Sequence, residues 1–157
     1  MISTRRSFVG KVGRVTGGVI ASVCLPRAAF AGCSSNTQSF EFSNINDQQV
    51  ATIADWKLGD CELKQATLRI SGNYVILNAQ VATHFTHTKD VWHMTVQLVT
   101  RNNTDPSKEI VLASGKFDGP QMSEQDKPLF HTWTGRFAFG ANALKGHRFA
   151  AKVTSCC

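Results

Sequence analysis

Apolar and polar residues alternate with a period of two along most of the second half of the chain, and this pattern predicts β-strands. Ala66, Leu68 and Ile70 alternate with polar neighbours and lead into the turn signal Ser71-Gly72-Asn73. Further alternating segments predict strands over 75–81, 92–98, 110–117, 131–139 and 149–153. Phe40 and Phe42 are expected to start the first strand, after a polar lead-in over Gly32 to Ser39.

Polar, glycine- and proline-containing segments separate these strands and predict antiparallel connections. Arg101 to Pro106 is read as a long turn and Gly119 to Pro128 as a polar loop. The best candidate for a helix is the short segment Asp47 to Ala54. The predicted fold is therefore all-β, an antiparallel meander of six to eight strands that forms a small sandwich or barrel.

The first 31 residues carry the features of an export signal. Paired Arg5 and Arg6 precede a polar residue, Phe8 and an aliphatic residue, which resembles the twin-arginine translocation motif. The apolar run that follows is about ten residues long, too short to cross a bilayer of roughly 30 Å as a helix. Ala29-Phe30-Ala31 matches a small-x-small cleavage site. These features predict a signal peptide over 1–31, cleavage near Ala31, and one mature domain over 32–157 in the periplasm or outside a bacterial cell.

A lipid anchor at Cys33 is the alternative way to process this terminus. Phe30-Ala31-Gly32-Cys33 resembles a lipobox, in which the cysteine becomes the lipidated first residue, although Phe30 stands where an aliphatic residue is usual. A free product without an anchor is the default expectation. No transmembrane segment is expected in either case.

Cleavage also changes the charge of the protein. Five of the 17 Lys and Arg residues and none of the 11 Asp and Glu residues precede Gly32, which leaves the mature domain with a formal net charge of +1. Binding to nucleic acid requires a concentrated basic surface that displaces counterions from phosphate. The mature sequence has no such cluster, so a nucleic-acid partner is not expected.

Four cysteines remain after cleavage, and an even number in a small exported domain predicts disulfides. They are Cys33, Cys61, Cys156 and Cys157, and they allow three connectivities. The bridge between neighbours Cys156 and Cys157 ranks last because it would close a strained ring. The other two connectivities both link the C-terminus to Cys33 and to Cys61.

The segment from Asp55 to Arg101 resembles a family of small secreted bacterial proteins of unknown function. The resemblance is carried by Trp56-Lys57-Leu58-Gly59-Asp60-Cys61, followed by a meander of strands. It implies an exported β-rich domain and no particular activity. Gly59 would allow a turn with positive φ there, and Cys61 would hold that turn by a disulfide.

Imidazole and carboxylate side chains are concentrated between residues 84 and 93 and form the candidate metal site. Neutral imidazole is the commonest protein ligand for zinc. The set is His84, His87, Asp90 and His93. The competing interpretation is a solvated hairpin tip with polar side chains.

The three tryptophans of the mature domain are the candidates for lining an apolar cavity, as in small closed barrels. They are Trp56, Trp92 and Trp133. The competing interpretation is that they fill the core.

No catalytic residues are assigned, because the sequence contains neither a Gly-x-Ser-x-Gly nor a Ser-x-x-Lys motif, and no cofactor is expected. The sequence therefore favours a non-enzymatic exported domain that binds a small apolar ligand or another protein's surface. The alternatives are a metal-dependent enzyme that uses residues 84–93 and a lipid-anchored structural protein of the envelope.

Overall fold

Antiparallel β-strands account for 72% of the residues described in the computed structural model, which covers 35–84, 90–122 and 129–157. In chain order the strands are β1 (Ser35–Glu41), β2 (Ser43–Ile45), β3 (Gln48–Ile53), β4 (Trp56–Leu58), β5 (Cys61–Ser71), β6 (Tyr74–Thr83), β7 (Asp90–Arg101), β8 (Glu109–Met122), β9 (His131–Ala138) and β10 (Ala150–Cys156). The predicted signal peptide over 1–31 and the cysteine at position 33 lie outside the described residues.

The strands form two sheets that pack face to face, so the predicted all-β antiparallel fold is confirmed as a sandwich and not a closed barrel. The four-stranded sheet has the order β1-β10-β7-β8. The six-stranded sheet has the order β2-β3-β5-β6-β9, and β4 pairs with β5 beside it. Nowhere in the described parts of the chain is there a helix of the length and apolar character needed to span a bilayer.

Local hairpins and long-range pairs both contribute to the sheets. The β2–β3, β5–β6 and β7–β8 pairs join consecutive strands. In contrast, β10 lies between β1 and β7, and β9 pairs with β6. The chain therefore passes from one sheet to the other after β1, β6, β8 and β9. These crossings connect the two layers of the sandwich.

The segment Asp47 to Ala54, predicted as a helix, is a strand, so this expectation was wrong. Gln48–Ile53 forms β3, which pairs with β5 from Ile53 opposite Ala66 to Gln49 opposite Ile70. A two-residue turn with φ of 50° at Asn46 and 60° at Asp47 connects it to β2. Two left-handed residues are what a tight hairpin of this length requires.

The expected lead-in over Gly32 to Ser39 was wrong for its described part, because β1 begins at Ser35 and its residues pair with β10 as far as Cys156. The expected polar loop over Gly119 to Pro128 was wrong for its first four residues, because β8 extends to Met122. The remainder of that loop, residues 123–128, lies outside the described residues. The other predicted strands occur where the alternation placed them.

An irregularity in β5 lets two short strands share one edge of it. The register against β6 shifts between Lys64 and Thr67, and Gln65 has a φ of 50°. Its backbone N–H donates to Asp55 Oδ1 at 3.1 Å. Such a bulge bends the strand. On the same edge of β5, β4 therefore pairs with the residues before the bulge and β3 with the residues after it.

The core lies between the two sheets and consists of the inward-facing residues of the alternating strands. Leu63, Leu68, Leu77 and Leu98 are completely buried there, and Trp92 is the largest side chain among them. Complete burial of a leucine side chain contributes about 1.5–3 kcal/mol relative to exposure. The alternation read from the sequence therefore identifies the face of each strand that stabilises the fold.

A disulfide joins the two sheets at one end of the sandwich. Cys61 begins β5 of the six-stranded sheet, and Cys157 follows β10 of the four-stranded sheet; they are bonded with a Cα–Cα distance of 6.2 Å. Cys156 is also disulfide-bonded. Gly59, just before Cys61, has the positive φ (56°) predicted for it.

Candidate functional site

His84 lies on the outer face of the six-stranded sheet, at the disulfide end. Its Nε2 is 2.7 Å from Glu62 Oε2, and its backbone N–H donates to the carbonyl of Asp60 at 2.7 Å. Glu62 alternates with the buried Cys61 and Leu63, which places it on the outer side of β5. The pKa of Glu62 is lowered below its usual value. The largest cause is the hydrogen bond from Lys64, and the second is the hydrogen bond from His84.

His93 lies on the outer face of the other sheet. Its neighbours Trp92 and Met94 are buried in the core, so the imidazole points away from it, and its Nδ1 is 2.7 Å from Asp118 Oδ1. The two sheets of a sandwich are about 10 Å apart. The structure therefore separates His84 from His93 by the thickness of the core and its flanking side chains.

The candidate metal ligands are thus engaged with different partners. The Asp90 carboxylate accepts a hydrogen bond from Thr83 Oγ1 at 2.6 Å, a contact that links β6 to β7. His87 lies outside the described residues. Among the described residues, no group of three His, Cys, Asp or Glu side chains has a geometry that could hold a metal ion.

All three tryptophans lie in the core. Trp56, Trp92 and Trp133 are 5%, 0% and 3% exposed. Trp56 contacts Phe40, with ring centroids 6.0 Å apart. A β-carbon on Gly119 would lie 3.1 Å from the carbonyl oxygen of Trp92 and 3.5 Å from Cδ2 of Trp133, so the backbone at Gly119 packs closely against both residues. The arrangement is that of core packing between the sheets.

A surface groove of about 580 Å³ lies at the opposite end of the sandwich from the disulfide. Its floor is a cross-strand row on the outer face of the four-stranded sheet, in which Glu41 of β1 pairs with Ala150 of β10, and Ala150 with Val99 of β7. Val99 is only 5% exposed although it faces outward. Neighbouring residues therefore cover most of the Val99 side chain.

The first wall of the groove is the connection between β7 and β8, which is fixed by its own hydrogen bonds. The side-chain oxygen of Asn102 accepts hydrogen bonds from the backbone N–H and the hydroxyl of Thr104, at 2.9 and 2.7 Å. The carboxylate of Asp105 accepts hydrogen bonds in the same way from the backbone N–H and the hydroxyl of Ser107. These hydrogen bonds, together with one from Lys108, lower the pKa of the Asp105 carboxyl group. The backbone N–H of Asn102 also donates to the carbonyl of Lys108 at 2.9 Å.

The second wall is the segment between β9 and β10. Consecutive turns lead to Gly146, whose φ of 74° favours glycine. The hydroxyl of Thr100 donates to the carbonyl of Arg148 at 2.7 Å, and Phe149 packs against Phe42 with ring centroids 5.2 Å apart. Both walls are thus attached to the sheet before any ligand binds.

The groove contains charged side chains that have no partner in the described part of the chain. Arg101 and Arg148 line it, as does Glu41, and the side chains of these three form no hydrogen bond or ion pair with the rest of the chain that the structure describes. The carboxylate of Glu109, also at the groove, is bonded to Lys152 at 2.7 Å. The unused charge is therefore two guanidinium groups against one carboxylate. A second, smaller depression of about 270 Å³ adjoins the groove and shares Arg148 and Phe149 with it.

No local pattern in the sequence indicates this groove. The pattern places Arg101 in a turn and predicts no role for Arg148. These residues meet only because β10 pairs with β7 so that Ala150 lies opposite Val99. No local motif encodes that register.

The sandwich and its groove define an all-β domain with a preformed polar surface site. No family model matches the chain. Comparison with characterised proteins and with solved structures likewise found no significant match.

Proposed function

We propose that the mature chain is an exported, non-enzymatic binding domain that recognises another protein with its surface. The observation that carries this proposal is the contrast between the interior and the groove. The interior is filled by apolar side chains, including Trp92 at 0% exposure. The groove is open, polar and preformed, and its two arginine side chains have no hydrogen-bond or ion-pair partner among the residues that the structure describes.

The fixed conformation of the two groove walls favours tighter binding of a partner. Ordering loops and side chains upon association costs free energy, and a site whose loops are already hydrogen-bonded avoids part of that cost. The hydrogen bonds within Asn102–Lys108 and the bond from Thr100 to Arg148 fix both walls in advance. The volume of the groove is within the range of about 300–1,000 Å³ that is usual for ligand sites.

Export to the periplasm or to the exterior is part of the proposal. The Arg5-Arg6 signal supports it, and so does the disulfide between Cys61 and Cys157, because disulfides persist in oxidising compartments. The apolar-ligand alternative is less favoured, since the candidate aromatics Trp56, Trp92 and Trp133 pack against other core residues.

The test is capture of envelope proteins by the immobilised mature domain, compared between variants. Wild type, the double variant Arg101→Gln/Arg148→Gln and the control Lys57→Gln would be exposed to the same detergent extract of cell envelopes. Lys57 is exposed on β4 of the other sheet and forms no described ion pair. We expect a protein retained by wild type and by Lys57→Gln to be lost from the double variant. Equal retention by all three would refute the proposal.

An apolar-ligand function predicts a different result in a second measurement. An uncharged fluorescent apolar probe such as N-phenyl-1-naphthylamine would then bind the folded domain stoichiometrically and change the emission of the buried tryptophans. We expect no stoichiometric binding, because the described interior is occupied by side chains.

A further inference from the structure

We infer that the groove binds an acidic peptide segment of about four residues, with a ligand carboxylate held between Arg101 and Arg148. This inference rests on the proposed function and names the chemistry of the partner. Arginine presents planar, paired donors that match the two oxygens of a carboxylate. Both guanidinium groups line the groove and neither is neutralised by the described parts of the protein.

The charge balance favours a single carboxylate over a phosphate dianion. Glu109 is neutralised by Lys152 at 2.7 Å, whereas Glu41 faces the same groove and has no partner among the described residues. Two guanidinium groups and one carboxylate leave a net charge of one positive unit. A ligand group with one negative charge balances it, and a second negative charge would be repelled by Glu41.

The length of the segment follows from the floor of the groove. The groove is lined by residues of all four strands of its sheet, from Glu41 on β1 to Glu109 on β8. Four strands at a spacing of about 4.8 Å span roughly 14 Å, and an extended peptide rises about 3.3 Å per residue. An extended segment of about four residues therefore fits between the two edges.

The experiment is a nitrogen-15 NMR titration of the mature domain with blocked tetrapeptides. The acidic probe is Ala-Glu-Ala-Ala with both termini capped, which carries a single carboxylate, and its uncharged isostere is Ala-Gln-Ala-Ala. Inorganic phosphate is titrated separately. We expect the acidic peptide to shift the backbone amides of Arg101 and of residues 146–149, with the isostere binding about tenfold more weakly because a charge-assisted hydrogen bond is lost.

The variants separate the groove from general electrostatics. Arg101→Gln and Arg148→Gln should each weaken binding about tenfold, whereas Lys57→Gln removes the same charge elsewhere and should leave it unchanged. Glu41→Gln should strengthen binding a few-fold because it removes a like charge. Added salt should weaken binding, since the groove is open to solvent.

Failure of the peptide inference and failure of the proposed function give different experimental results. Phosphate binding at the same amides with equal or higher affinity would replace the peptide assignment with a phosphate site. Absence of shifts at the groove, or shifts elsewhere, would overturn the inference. If the envelope capture still depended on Arg101 and Arg148 in that case, the proposed function would stand with a different ligand chemistry.

Discussion

The ring of Phe137 on β9 lies directly over Gly115 on β8, where a β-carbon would overlap it. The contact is reciprocal, because a β-carbon on Gly135 would lie 2.7 Å from Cδ1 of Phe117. The two phenylalanine rings are 5.4 Å apart between centroids. Each glycine thus makes room for the aromatic ring of the opposite sheet, and the pair of contacts closes the side of the sandwich at β8 and β9.

Substitution of Gly115 by alanine should therefore destabilise the domain. Overpacking of this kind costs about 1–3 kcal/mol, and the free energy of unfolding in urea measures it. Gly140→Ala is the control, since nothing lies within 4 Å of a β-carbon there and its φ is not positive; its effect should stay within about 0.5 kcal/mol. The double variant Gly115→Ala/Phe137→Ala should lose the steric part of the penalty. A Gly115→Ala protein as stable as wild type would contradict this account of the closure.

Removal of the bridge between Cys61 and Cys157 should destabilise the domain by roughly 4–5 kcal/mol in the chain-entropy model. The reason is that the bridge spans a sequence separation of 96 residues and restricts the unfolded chain. Unfolding of Cys157→Ser in denaturant, compared with wild type, measures the effect. Wild type reduced before unfolding also loses the disulfide of Cys156 and should be destabilised at least as much, whereas a Cys157→Ser variant of unchanged stability would argue against a structural role for the bridge.

Cys33 is expected to pair with Cys156. Cys61 is bonded to Cys157, Cys156 is itself disulfide-bonded, and Ser35, two residues after Cys33, lies opposite Cys156 in the β1–β10 register. Non-reducing peptide mapping of the secreted protein should recover a peptide that joins residues 33 and 156. A thioether-linked lipid on Cys33 would use the same sulfur, so its detection by mass spectrometry would refute this pairing.

The interaction of Glu62 with Lys64 and His84 predicts a pH-dependent stability. The pKa of Glu62 is lowered in the folded state from its ordinary value of 4.5. Its contribution is therefore present above that value and is lost as the pH falls through the lower folded pKa. Glu62→Gln should remove this part of the pH dependence below pH 4.5, measured as the difference in unfolding free energy from wild type. Lys64→Gln should reduce it more than His84→Gln, because the hydrogen bond from Lys64 is the larger cause.

His84 and His93 should act independently. Their carboxylate partners, Glu62 and Asp118, lie on the outer faces of different sheets. The stability effects of His84→Ala and His93→Ala should add within about 0.5 kcal/mol in a double-mutant cycle. Metal analysis of protein purified from the periplasm is the measurement that would contradict this prediction. One stoichiometric ion that is lost in either single variant would require the two imidazoles to share a site.

The alternation of apolar and polar residues determined most of what is local in this protein. It located six strands and the buried face of all of them except β8, where Ile110 and Val111 are exposed, because a side chain in a strand points to the side opposite its neighbour whatever the strand pairs with. It failed at Asp47 to Ala54, since the turn there uses Asn46 and Asp47 at positive φ, where the sequence lacks the glycine that usually indicates such a hairpin.

The tertiary structure decided what depends on register and on the choice of sheet. The sequence left the connectivity of Cys61 and Cys157 open and grouped His84 with His93, because proximity along the chain does not reveal that the chain changes sheets between β6 and β7. The groove arises in the same way: Arg101 and Arg148 come together only through the pairing of Val99 with Ala150. Short-range alternation fixes which way a side chain points, whereas long-range hydrogen bonds and inter-sheet packing fix which side chains it meets.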